Sequence, residues 1–219
     1  MSLWYASLVA LVYASGVIFA YRWGLGRRRR RHGGLPVLAT VDWEFLCEPL
    51  LRVLGAEFTV ERLLDGPGPD EATQSARLSE AEQAWLELLR EARHRPELAL
   101  LRAFPTPADA RSQYLFVALT LRHEVGVFNL EWQVVVAKRR LKAALKANPD
   151  VAALYFVRAY ASWLLGLTDA AIDDMGRAVY YGRRPFYARA VVSSPLVAEV
   201  RPDLFRQCER TLSDRPGFG

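Results

Sequence analysis

An uncharged apolar segment near the N-terminus constrains this chain more than any other feature of its sequence. Residues 3–21 contain no charged residue, proline or side-chain amide. Roughly 20 predominantly apolar residues are enough for a helix to cross the hydrocarbon core of a bilayer. Amphipathic rings favour the headgroup depth, and two aromatic residues lie at each end of the segment: Trp4, Tyr5, Tyr21 and Trp23. The sequence therefore predicts a transmembrane anchor over residues 1–25.

Basic residues follow this segment and none precede it. The positive-inside rule then places the C-terminal side in the cytoplasm and the N-terminus outside. A cleaved signal peptide is the alternative, but it requires positive charge before its apolar core. The arginines either set the topology alone or also attract anionic lipid headgroups. They are Arg22 and, in the linker over residues 26–37, Arg27, Arg28, Arg29, Arg30 and Arg31.

Small residues recur every fourth position inside the predicted anchor. This spacing lets two membrane helices approach closely, although alanine is also common in helices that do not pair. The residues that predict pairing form two ridges, one with Ala6, Ala10 and Ala14 and one with Gly16 and Ala20.

The net charge of +5 belongs to one short stretch of the chain. Six of the 29 basic residues are Arg22 and residues 27–31, so the rest nearly balances the 24 acidic residues. A basic face across the whole domain, which nucleic-acid binders need, is not indicated. The preference for Arg over Lys, with abundant Ala and Leu, is typical of a bacterium with GC-rich DNA. We therefore expect the bacterial inner membrane as the location.

Residues able to act as nucleophile, base or metal ligand are few and scattered. Cys47 and Cys208 are isolated and are expected to be small buried apolar residues, with a disulfide or a reactive thiol as the alternative. His94 and His123 lack the HExxH context of a zinc site. The glycines of residues 65–74 lack the lysine of a phosphate-binding loop. We expect no catalytic residue, metal, cofactor or small-molecule substrate.

The remainder of the chain has helical patterning, and no stretch shows sustained strand alternation. In residues 38–107, Pro49 should kink or divide a helix over residues 42–54. Thr59 is predicted to cap a short helix, and Ser79 forms a capping-box pattern with Glu82. The predicted segments are an anchor (1–25), a polybasic linker (26–37), a helical region of no assigned family (38–107), helical pairs (108–182), and a closing helix and tail (183–219).

The last helical pair resembles a tetratricopeptide (TPR) repeat. Pro149 lies where a preceding repeat would end, and Gly166 lies at the turn between the two helices. Small residues allow the helices to approach, and large ones fill the seam between them. The matching residues of 152–185 are Tyr155, Ala159, Ala171, Ile172, Met175 and Ala178.

An earlier, degenerate repeat is predicted 34 residues upstream. Trp132 stands where the glycine of the turn belongs, and Lys138 replaces an apolar residue, so the turn is expected nearer Gly126. The residues in matching positions are Leu121, Val125, Ala137, Leu141 and Ala144. The tail is similar to the closing element of bacterial TPR arrays, in Val200, Arg201, Pro202 and Phe205.

The resemblance implies a groove lined by the first helix of each pair, which binds a peptide or a partner helix. The matching groove residues are Phe156, Tyr160 and Trp163, and exposed aromatic residues are frequent binding anchors. Aromatic residues in place of Lys and Asn imply an apolar or aromatic-seeking groove and disfavour one that grips a C-terminal carboxylate. The alternative is that a neighbouring helix of the same chain covers Phe156 and Tyr160.

A row of lysines, Lys138, Lys142 and Lys146, follows one helix at intervals of four. It is either a solvated face or a docking surface for an acidic partner or for lipid headgroups.

These features together predict an all-α, α-solenoid, membrane-anchored TPR-like adaptor or scaffold. It would bind a protein partner, without nucleic acid, at the cytoplasmic face of the membrane. An accessory structural subunit within a larger integral membrane complex is the alternative. An enzyme with dispersed residues in 38–107 is a third hypothesis.

Overall fold

The computed structural model describes residues 41–65, 76–96, 99, 109–122 and 130–214, with backbone alone at 122 and 130–133. These residues are mostly helical and include no strand, so the all-α prediction is confirmed for them. No helix in these ranges is long and apolar enough to cross a membrane. The predicted anchor, its packing residues and the arginine run all lie outside them.

Helix α1, Trp43–Leu54, starts from a buried cap and continues through a proline. The Asp42 carboxylate accepts a hydrogen bond of 3.0 Å from the Phe45 amide, which satisfies a free N–H of the first turn. Pro49 has no N–H to offer the Phe45 carbonyl, and the Nε of Arg111 donates to that oxygen at 3.1 Å instead. Of the two predicted effects of Pro49, division of the helix is wrong, because a side chain from another helix supplies the missing donor, and a kink stays a prediction.

The two predictions about residues that cap the start of a helix are confirmed. Thr59 caps α2, Val60–Leu64, by accepting a hydrogen bond from the Arg62 amide. Ser79 and Glu82 form the capping box of α3, Glu80–His94. Helices α1, α2 and α3 pack together, and the Trp85 Nε1 of α3 donates to the Leu46 carbonyl at 3.1 Å.

Two successive helical pairs follow. They are α4, Ala110–Arg122, with α5, Leu130–Ala147, and α6, Ala152–Leu164, with α7, Thr168–Gly182. Helix α6 contacts α4, α5 and α7. The α6–α7 turn passes through Gly166 at φ 73°, as expected for a residue without Cβ. Trp132 lies inside α5, so no turn occurs there.

The seam between α6 and α7 is packed as the sequence suggests. Tyr155 is buried, and its hydroxyl donates to the Pro149 carbonyl at 2.8 Å. The small and large residues predicted for the seam are also buried: Ala159, Ala171, Ile172, Met175 and Ala178. The two helices therefore lie close together along their length.

Three helices close the C-terminal end, and each begins with proline, whose fixed φ suits the first helical position. They are α8, Pro185–Val192, α9, Pro195–Val200, and α10, Pro202–Ser213. Helix α8 packs on α7, α9 and α10. Of the predicted closing residues, Val200 and Arg201 are exposed and Phe205 is half-buried, while Leu204 and Cys208 supply the buried contacts.

A buried polar network joins α1 to α4 and α8. Asp42 has only 1% of its surface exposed. Its amide donates to the Tyr114 hydroxyl at 2.6 Å, and its carboxylate accepts from the Tyr187 hydroxyl at 2.6 Å. Burial, reinforced by the Asp42 charge, raises the pKa of both tyrosines well above the ordinary value, so both hydroxyls stay protonated, with Tyr187 donating to Asp42 and Tyr114 accepting from it. The network fixes the start of α1 against two distant helices.

A more exposed charge cluster lies beside this network. Glu48 pairs with Arg52 at 2.6 Å and with Arg111 at 2.9 Å, and Arg184 lies 3.6 Å away. Burial raises the pKa of Glu48, but hydrogen bonds from Arg52 and Arg111 outweigh it and hold that pKa below the ordinary value. Glu48 is therefore ionised at neutral pH and links α1 to α4.

Gly182, the last residue of α7, has no room for a side chain. A Cβ there would overlap the buried ring of Tyr187 and lie 3.0 Å from the Ala152 Cβ. We expect Gly182→Ala to lower the free energy of unfolding by about 1–3 kcal/mol, because a packed core resists added volume. Urea unfolding of the full chain in detergent, followed by circular dichroism, measures the change.

The matched control is Gly176→Ala in the same helix. Its added Cβ would meet only a Leu204 methyl at 3.7 Å, an ordinary contact. Alanine favours a helix over glycine by about 1 kcal/mol, so this variant should be neutral or more stable. Equal effects of the two substitutions would show that the contact with Tyr187 does not limit the site.

Candidate functional site

The predicted groove residue Phe156 lies in the core. Only 1% of its surface is exposed, and its ring packs edge-on against Phe186 at 5.3 Å and Tyr187 at 5.5 Å between centroids. Both partners belong to α8, so a neighbouring helix of the same chain covers Phe156. This burial agrees with the alternative that the sequence left open for Phe156, and a role of Phe156 in partner binding stays a prediction.

The other two predicted groove residues remain accessible. Tyr160 and Trp163 are half-buried and stack on one another, with ring centroids 5.8 Å apart and planes 17° apart. They form an aromatic face on α6, adjoining the core. Their role in binding stays a prediction.

A charged cleft lies on the other side of α6. Arg158 precedes Tyr160 of the aromatic face by two positions, and Ser162 follows Tyr160 by two positions. At 3.6 residues per turn, this offset is more than half a turn of helix. The cleft has a volume of about 460 Å³ and is lined by residues of α5, α6 and α7. Its polar lining is Lys138, Arg139, Lys142, Arg158, Ser162, Asp173, Asp174 and Arg177.

The side of the cleft formed by α6 and α7 holds a satisfied ion pair. The Arg158 guanidinium donates to both carboxylate oxygens of Asp174, at 2.7 and 2.6 Å. The side chains are 17% and 7% exposed, so the pair is largely shielded from water. A two-bond guanidinium–carboxylate contact is both strong and directional. It ties α6 to α7 and neutralises the charge on both residues.

Two other polar side chains of the cleft, Lys138 and Ser162, lack an ion pair or a hydrogen-bond partner among the described residues. Burial lowers the pKa of the Lys138 ammonium; Asp174 opposes this shift and Arg158 adds to it. No carboxylate of the described residues makes an ion pair with Lys138. Ser162 is fully buried, and its hydroxyl has no hydrogen-bond partner in the described structure. Such a buried hydroxyl normally finds a partner.

The remaining charges make the cleft electropositive. Arg139, Lys142 and Arg177 line it, and none of them forms an ion pair with a carboxylate of the described ranges. The second carboxylate, Asp173, lies 3.9 Å from Arg201 of α10. Lys146, the third member of the predicted lysine row, is exposed and does not line the cleft.

The described cysteines and histidine have structural surroundings. Burial raises the pKa of Cys47 to about 12 and that of Cys208 to about 11, so both thiols stay protonated at neutral pH. Both are free and buried, as predicted. His94 is exposed, and its Nε2 lies 3.1 Å from the Leu64 carbonyl oxygen. His123 lies outside the described residues.

The residues that line the cleft lie between positions 135 and 177. Within the ranges that the structure describes, no group of His, Cys, Asp and Glu residues is arranged to hold a metal ion. No protein-family model, curated protein or solved structure matches the chain. The likeness of residues 152–185 to a TPR repeat stays a prediction from the sequence.

Proposed function

We propose that this protein is a membrane-anchored, TPR-like adaptor that binds a protein partner at the cytoplasmic face of the bacterial inner membrane. The observation that carries the proposal is the open cleft between α5, α6 and α7. A recess of about 460 Å³ with charged and apolar lining has room for several side chains of another protein.

The arrangement of the helices supports this proposal. Helix α6 contacts both helices of the preceding pair, α4 and α5, and its own partner α7. Successive helical pairs that bury their faces against one another are the construction of helical-repeat proteins, which use their extended surfaces for binding. The apolar segment over residues 3–21 supplies the proposed tether.

Blocking the cleft tests the proposal without assuming the chemistry of the partner. Ala170 lines the cleft and is exposed, so Ala170→Trp should fill the opening and leave the core unchanged. We expect proteins that are crosslinked to the tagged full chain in membranes, and recovered in mild detergent, to fall about tenfold with this variant. Quantitative mass spectrometry of the recovered proteins measures the change.

The control is Ala84→Trp, at an exposed position of α3 that does not line the cleft. It should recover the same proteins as the wild type. Tyr160→Ala combined with Trp163→Ala tests the aromatic face separately. Recovery of no protein by the wild type would contradict the adaptor proposal, and equal recovery by Ala170→Trp would contradict the cleft as its binding surface.

A further inference from the structure

We infer that the cleft between α5, α6 and α7 binds an extended acidic segment of the partner protein, with carboxylates at alternate positions held by Lys138 and Lys142. This inference rests on the proposed adaptor function and adds the chemistry of the ligand.

Charge complementarity favours an acidic ligand. Asp174 neutralises Arg158 within the cleft, and Asp173 lies beside Arg201 at its edge. The cationic side chains left without an ion pair among the described residues are Lys138, Arg139, Lys142 and Arg177. Cations gathered in a recess attract anions more strongly than the same charges on a flat surface, because the low-dielectric walls focus the field.

The spacing of the lysines favours an extended peptide. Lys138 and Lys142 are one turn apart on α5, which separates them by about 6 Å along the helix. Alternate side chains on one face of an extended chain are separated by about 6.7 Å. A segment running along α5 can therefore present a carboxylate to each lysine in turn. The apolar side chains of Val135 and Leu165 line the same cleft and offer contacts to the residues between.

The partial burial of Lys138 favours an anion beside it. Lys138 lines the cleft, is half-buried and makes no ion pair with a described carboxylate. Burial lowers its pKa, and a carboxylate bound in the cleft would stabilise its charged form. Ser162 also lines the cleft, but its hydroxyl is fully covered, so the lysines and not Ser162 are the groups that meet the ligand.

A protein segment suits this recess better than a lipid headgroup does. Lys138 is half-buried in the cleft lined by α5, α6 and α7, so an anion must enter the recess to contact it. A side chain on an extended segment can do so. A headgroup in a flat bilayer would first require the whole opening to lie against the membrane.

Fluorescence anisotropy of a labelled peptide tests the inference. The probe alternates Glu with Val, and its control peptide carries Gln at every Glu position. Both are titrated with the full-length chain in nanodiscs of neutral phosphatidylcholine. We expect the Gln peptide to bind at least about tenfold more weakly, and higher salt to weaken the Glu peptide.

Matched variants locate the binding site. Lys138→Gln combined with Lys142→Gln should weaken the Glu peptide about tenfold, whereas Lys146→Gln on the same helix should change it less than about twofold. Neither lysine of the cleft makes a described hydrogen bond or ion pair, so the fold should be retained, and circular dichroism checks this. Lys142→Glu should recover binding to a peptide with one Glu replaced by Lys.

Three outcomes would overturn the inference. They are equal binding of the Gln peptide, an equal loss with Lys146→Gln, and displacement of the peptide from the wild type by phosphatidylglycerol vesicles, which would assign the cleft to lipid headgroups. If these occur while Ala170→Trp still reduces protein recovery from membranes, the adaptor function stands and only its acidic ligand is wrong.

Discussion

Asp42→Ala should lower the free energy of unfolding of the full-length protein by about 3 kcal/mol. The substitution removes the cap of α1, a loss of about 1 kcal/mol. It also leaves the buried hydroxyl of Tyr187 without its acceptor, which costs about 1–3 kcal/mol. Arg184, 3.4 Å from the carboxylate and 28% exposed, can turn to water and adds less. Urea unfolding in detergent, followed by helical circular dichroism, measures the total.

Two further substitutions separate these contributions. Asp42→Asn keeps an oxygen for the Phe45 amide and for the Tyr187 hydroxyl, so it should cost about half as much. Glu44→Ala removes an exposed carboxylate from the same first turn and should cost less than about 0.5 kcal/mol. A loss from Asp42→Ala no larger than that from Glu44→Ala would show that the network contributes little stability.

Phe156→Ala should lower the free energy of unfolding by about 3–5 kcal/mol. Removing a buried aromatic side chain loses its burial and leaves a cavity that the surroundings fill only in part. Here the cavity would adjoin Phe186 and Tyr187, whose edge contacts with the ring would also be lost. The same unfolding measurement applies.

Phe156→Leu is the conservative control, because it retains most of the apolar volume and should cost less than about 1.5 kcal/mol. Tyr160→Ala, at a half-buried position of the same helix, should be milder than Phe156→Ala. If the Phe156→Ala protein keeps its stability but no longer recovers a partner, Phe156 contributes to the binding surface and the prediction is contradicted.

Local signals in the sequence predicted most of the described helices. Thr59 and Ser79 cap the helices that follow them because capping depends on hydrogen bonds within three residues. The turn at Gly166 is equally local. The course of α1 through Pro49 was not predictable, since the donor to the freed carbonyl comes from Arg111, which lies 66 positions from Phe45.

The aromatic residues of α6 show a similar limit. Phe156, Tyr160 and Trp163 recur at helical spacing, and nothing in the sequence separated Phe156 from Tyr160. Helix α8 covers Phe156 and leaves Tyr160 half-exposed. The position of α8 decides which of the two rings is buried, and the spacing of residues within α6 does not predict that position.

The charged cleft did leave signals in the sequence. Arg158 interrupts an otherwise apolar helix, and an ionisable residue in such a place requires a partner, here Asp174 of the next helix. Lys138 stands where the proposed earlier repeat should have an apolar residue, and Lys138 lines the cleft. The partner of Arg158 could not be named from the sequence, because several carboxylates lie at suitable distances along α7.

The buried start of α1 has a mechanical consequence. Val41 and Asp42 are already enclosed by the domain, and Asp42 is bonded to Tyr114 and Tyr187. A tension transmitted to Val41 would therefore be borne first by these short polar bonds. When the domain is pulled from Val41, we expect a high force until the hydrogen bonds of Asp42 break, and a sudden drop in force after that.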